Sequence, residues 1–125
     1  MRIRKTQMDA FGAAGENDFR DRLRKMLEQD YPEDVEELGE RLDRVIDLGL
    51  EHARAYGISR EKDIGLYFDV MFSLAYNFDT NPEYPWAAQI LKRPDLEGPA
   101  KVERVAKLAQ EAMEHEAEGA TDDEQ

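Results

Sequence analysis

The sequence predicts an all-α protein: a single bundle of four to five helices over residues 1–116, followed by an acidic disordered tail over 117–125. Three observations carry this expectation. Apolar residues recur at three- and four-residue steps, the period of a helix with one buried face. Prolines and glycines fall between those runs, where helices start and stop, at Pro32, Gly57, Pro82, Pro85, Pro94 and Pro99. No segment alternates apolar and polar residues over strand length, and Val, Ile and Thr are not concentrated between turn signals. A chain of 125 residues is near the modal domain size and fits one core.

The first helix spans about residues 7 to 30. Thr6 suits its cap and Asp9 its first turn, and Met8, Phe11, Gly15, Phe19, Leu23 and Met26 or Leu27 form its apolar stripe. Gly12 and Gly15 each weaken it by roughly 1 kcal/mol relative to alanine and mark a kink or a close crossing. Pro32 ends this helix and opens a second, whose first turn holds Glu33, Asp34, Glu36 and Glu37 and which runs to about Tyr56. Its apolar face is Val35, Leu38, Leu42, Val45 or Ile46, Gly49 and Ala53, with Gly57 placed as a left-handed C-terminal cap.

Ser59 is positioned to cap a third helix carrying Ile64, Tyr67, Phe68, Met71, Phe72, Leu74, Ala75 and Phe78. Being apolar on more than one side, it is expected at the centre of the bundle. Residues Asn77 to Trp86 read as a turn-rich connector, followed by a short helix that starts at Pro85 and ends before Pro94. A last helix begins near Pro99 with Val102, Val105, Leu108 or Ala109, and Ala112 or Met113 on a narrow face. Beyond about His115 the chain is acidic, with nothing to bury.

Composition excludes several function classes. The charged share is 37% and apolar runs are interrupted well before the roughly 20 residues that a bilayer crossing needs, so no membrane span is expected. The N-terminus is basic but no apolar segment of the secretory type follows it, which makes the cytoplasm the expected compartment. Without cysteine there are no disulfides, thiolate nucleophiles or sulfur-ligated metals. A net charge of -12 opposes direct binding of nucleic acid, which needs a clustered basic face; it serves solubility first, and it also suits a basic protein partner.

Catalytic constellations are not found, so no catalytic residue, metal ligand or cofactor is assigned. His52 and His115 are the histidines present, and neither belongs to a motif; His52, near the end of the second helix, complements the helix dipole. The Glu111 and His115 pair is four residues apart, which is weak grounds for a metal. Asp79, Asn81 and Glu83 alternate like the start of a calcium loop, but Tyr84 and Ile90 stand where such a loop requires glycine and glutamate. Capping of nearby backbone by Asp79 and Asn81 is the better reading.

Aromatic residues are concentrated in the third helix and the connector: Tyr67, Phe68, Phe72, Tyr76, Phe78, Tyr84 and Trp86. Most are core material, but Tyr and Trp on a rigid connector make good interface anchors. Asp79, Asn81, Tyr84 and Trp86 are therefore the candidate partner-binding residues.

The stretch from Phe72 to Leu91, with its Phe78-Asp79-Thr80-Asn81-Pro82 and Pro85-Trp86-Ala87-Ala88 elements, preceded by Gly57-Ile58-Ser59 and Asp63, resembles small helical accessory proteins of bacterial type VI secretion neighbourhoods, encoded near effector and spike genes. The likeness covers roughly Gln7 to Leu108. It implies a setting without assigning a role to any residue. The expected function is a non-catalytic adaptor or chaperone for a secreted effector. The alternatives are an immunity protein that neutralises a toxin, a self-associating structural subunit, and a carboxylate-based enzyme.

Overall fold

The computed structural model describes the backbone from Lys5 to Glu124 and the side chains from residue 17 to residue 115. The expected Thr6 cap and the stripe through Met8 and Phe11 rest on side chains outside these described residues; the backbone at Gly12 and Gly15 is helical, and over 117–124, where the sequence predicts a disordered tail, it continues the last helix. The described chain is helical without strands, in the order α1 (Lys5–Asp30), α2 (Pro32–Leu38), a single 3-10 turn (Gly39–Arg41), α3 (Leu42–Ala55), α4 (Glu61–Ser73), α5 (Pro85–Leu91) and α6 (Gly98–Glu124). The all-α class is therefore as expected. The backbone divides into two compact units, Met1–Leu42 and Asp43–Gln125.

In the first unit, Phe19, Leu23 and Leu27 are buried at four-residue steps along α1. Each such apolar side chain contributes roughly 1.5–3 kcal/mol when fully removed from water. Pro32 starts α2 at the position where a missing amide costs nothing, and α2 buries Leu38. The helix expected from Pro32 to Tyr56 is broken at Gly39. This residue has φ 55° and ψ -122°, and its amide donates to the Val35 carbonyl. A positive φ of this kind is open to glycine at little cost and closed to most other residues, so Gly39 ends α2 and the 3-10 turn restarts the chain as α3.

In the second unit, α3 buries Ile46, Gly49, Leu50 and Ala53 on one face. Its end is a Schellman cap. Gly57 has φ 84°, its amide donates to the Arg54 carbonyl at 3.0 Å, and the amide of the buried Ile58 reaches the Ala53 carbonyl at 2.9 Å. Ser59 does not cap α4: the N-cap residue is Arg60, without a side-chain cap bond, and its Nε donates instead to buried Asp63 at 2.7 Å. The α4 helix buries Ile64, Tyr67, Phe68, Val70, Met71 and Phe72, more than one stripe can hold, as a central element requires. It stops at Ser73, short of Phe78, and successive turns follow.

Pro85 opens α5 as expected, and Ala87 and Leu91 are its buried residues. Both α4 and α5 lie against α6, through a face on which Val102, Val105 and Ala109 are buried. The last helix is thus the common wall of this unit, a larger role than its narrow apolar stripe suggests. Its start is tightly seated, because a Cβ at Gly98 would meet the Gly57 carbonyl and come within 3.1 Å of the Ile58 Cα.

Candidate functional site

The most concentrated polar chemistry in the second unit joins the end of α3 to the connector after α4. His52 and Tyr56 are one helical turn apart and share a face, as residues at four-residue spacing do. Asp79 comes to both of them. Its Oδ2 accepts a 2.7 Å bond from the Tyr56 hydroxyl and lies 2.8 Å from His52 Nδ1. A carboxylate oxygen only accepts, so Nδ1 carries the proton in this contact, and Nε2 is the basic nitrogen of a neutral ring. Asp79 is 1% exposed, the His52 side chain 35%. The other Asp79 oxygen, Oδ1, is buried without a hydrogen-bond partner.

Aromatic rings line the surroundings. Tyr67 stacks tilted on Phe78 with centroids 5.0 Å apart and lies 6.4 Å from the Tyr56 ring. Burial pushes the phenols of Tyr56 and Tyr67 well above the ordinary value, and the negative charge of Asp79 adds to the shift. In Tyr56 the hydrogen bond to Asp79, which requires the protonated phenol, acts in the same direction. Lys101 from α6 donates to the Tyr56 carbonyl at 3.0 Å, satisfying one of the open carbonyls at the end of α3.

The four candidate residues separate into two kinds. Asp79 does not cap the connector's backbone and offers no surface to a partner, because its side chain points inward to α3. Asn81 does cap: its Oδ1 accepts the Glu83 amide at 2.9 Å, and its Nδ2 reaches Asn77 Oδ1 at 3.3 Å. Asp79, Asn81 and Glu83 consequently do not converge on a common point. Among the described residues there is no group of three or more His, Asp or Glu side chains placed to hold a metal. Tyr84 and Trp86 lie on either side of Pro85, both half-buried, and their rings meet edge to face with centroids 5.9 Å apart and an interplanar angle of 63°.

Sequence reasoning missed His52 and Tyr56 as partners of Asp79. The available signal was a polar pair at four-residue spacing at the end of a helix, but nothing in the sequence specified which of the many acidic residues would meet it. No protein-family profile, curated protein or solved structure matches the chain. No helix among the described residues is long and apolar enough to cross a membrane.

Proposed function

We propose that this chain is a protein-binding accessory protein, an adaptor or chaperone for an effector of a type VI secretion apparatus, and that it engages its partner through Tyr84 and Trp86. The observation that carries this reading is the edge-to-face Tyr84–Trp86 pair, partly exposed at the start of α5 on a connector held by backbone turns. Rigid, partly exposed aromatic residues supply large contact area at small cost in side-chain entropy, which is why they anchor protein interfaces. The net charge of -12 adds long-range attraction for a basic partner. The test is affinity capture of the tagged chain from a host carrying such an apparatus, at low and moderate salt, beside the Trp86→Ala variant. Recovery of an effector with spike components, lost in the variant, supports the adaptor role. A toxin recovered alone transfers the reading to immunity, in which exposed Glu33, Glu36 and Glu37 of α2 would face a basic site. Capture unaffected by the variant removes Trp86 from the interface.

His52 favours a second reading. An imidazole oriented by a buried carboxylate through Nδ1 and partly open to solvent has the arrangement of a general base. Screening against ester and phosphoester substrates tests it, with an activity lost in His52→Ala as the required result.

A further inference from the structure

We propose that Asp79 is a latch that sets the position of the Tyr84–Trp86 segment, rather than a stabiliser of the helical unit at large. The inference rests on the interface reading only for what the segment is used for; the latch itself is testable without a partner. Removing a carboxylate from water is costly, and Asp79 recovers that cost poorly, since both of its bonds fall on Oδ2 while Oδ1 stays buried and unpartnered. Anchorage of the same turn is already supplied by Phe78, which is fully buried with its ring against Tyr67. That packing fixes the turn at one point, the Phe78 ring. Two directional bonds to donors on one helical turn of α3 define where the connector leaves the surface.

From Asp79 to Trp86 the chain is a series of bonded turns. Thr80 donates to the Asn77 carbonyl at 3.0 Å, Tyr84 to that of Asn81 at 2.9 Å, and Ala87 to that of Tyr84 at 3.0 Å; the Asn81 side chain ties in Glu83. A displacement at Asp79 therefore reaches Trp86 instead of being absorbed by slack chain. Of the two donors, His52 is partly open to solvent, so the latch can be reached from outside the protein.

Trp86 is the only tryptophan and reports on this segment alone. The experiment is tryptophan emission and acrylamide quenching of the full chain, read beside far-ultraviolet circular dichroism, for Asp79→Ala, Asp79→Asn and the double variant His52→Ala with Tyr56→Phe. The expected result for Asp79→Ala is a retained helical signal with red-shifted emission and a quenching constant raised at least about twofold, as for a segment that opens locally. Asp79→Asn keeps an acceptor oxygen for the same donors and recovers most of the parental signal. If Asp79→Ala loses its helices, the double variant decides, since it removes both donors and leaves Asp79 in place. Parental quenching in a folded variant that lacks the latch overturns the inference. Raised quenching with unaltered capture of an effector keeps the latch and discards the Tyr84–Trp86 interface.

Discussion

Gly49 and Gly65 are both glycines inside helices, yet replacing each with alanine is expected to change stability in opposite directions. Alanine is favoured over glycine within a helix by roughly 1 kcal/mol, so propensity alone predicts that both substitutions stabilise. At Gly65 in α4 a new Cβ meets no atom within 4 Å, and the full propensity gain of about 0.5–1 kcal/mol is expected. At Gly49 in α3 the Cβ would run into the Phe68 ring, overlapping Cζ and lying 2.8 Å from Cε2, and would lie 2.9 Å from Met71 Sδ. The methionine end can swing away. Phe68, fully buried, cannot move without displacing its neighbours. Overpacking of this kind costs about 1–3 kcal/mol, which cancels or outweighs the propensity gain of roughly 1 kcal/mol and leaves a net loss of up to about 2 kcal/mol for Gly49→Ala. For a chain of this length 1 kcal/mol corresponds to about 3–6 °C in Tm. Thermal and urea melts of the two variants beside the parent check the argument. A Gly49→Ala protein stabilised as much as Gly65→Ala would refute the close approach of α3 to Phe68, and a destabilised Gly65→Ala protein would refute the open space at that position.

Gly98→Ala is expected to cost about 2 kcal/mol or more in the same melts, because its Cβ meets backbone at Gly57 and Ile58, which cannot rotate out of the way. Alkaline conditions are expected to destabilise the fold through Tyr56 and Tyr67. Their folded-state pKa values are raised, so the folded protein holds protons that the unfolded chain releases, and stability present below the unfolded phenol value of about 10 falls as pH rises past it. Urea melts at increasing pH should show the loss, with a smaller slope in Tyr56→Phe; a flat profile across that range contradicts the buried phenols. Trp86→Ala is expected to retain its cooperative melt while losing affinity-captured partner, since Trp86 lies outside the fully buried core; a collapsed melt would show that it serves the core instead.

Much of the helical pattern was legible because one periodicity accounts for it. In α3, Leu42, Ile46, Gly49 and Ala53 are buried as the stripe requires, and Gly57 adopts the left-handed cap expected of it. The starts at Pro32 and Pro85 were equally readable, because proline is restricted to few helical positions. What was not legible depends on choices that a local pattern leaves open. A lone glycine is tolerated within many helices, so nothing local showed that Gly39 would take φ 55° and divide the run from Pro32 to Tyr56. Leu74, Ala75 and Phe78 continue the apolar period and so extend the expected α4 past its end, although the backbone turns away after Ser73 and Phe78 is buried from a turn.

The candidate site shows the same limit with more consequence. Asp79 and Asn81 have similar local sequence roles, since short polar side chains in a connector between prolines cap nearby backbone, and the local reading treats them alike. Asn81 behaves accordingly. Asp79 differs because the turn at Phe78, drawn in by the Tyr67 ring, aims the next side chain inward, where a neutral asparagine or an apolar residue would be cheaper to bury than a carboxylate. Its partners come from residues 23 and 27 positions earlier in the chain, a separation that no helical or turn period encodes. A hydrogen-bond acceptor in that position, in place of an apolar residue, is therefore better explained by the direction that its bonds to His52 and Tyr56 impose on the connector than by any contribution to overall stability. That is why the position of Trp86, more than the melting temperature, is the property on which the role of Asp79 should be judged.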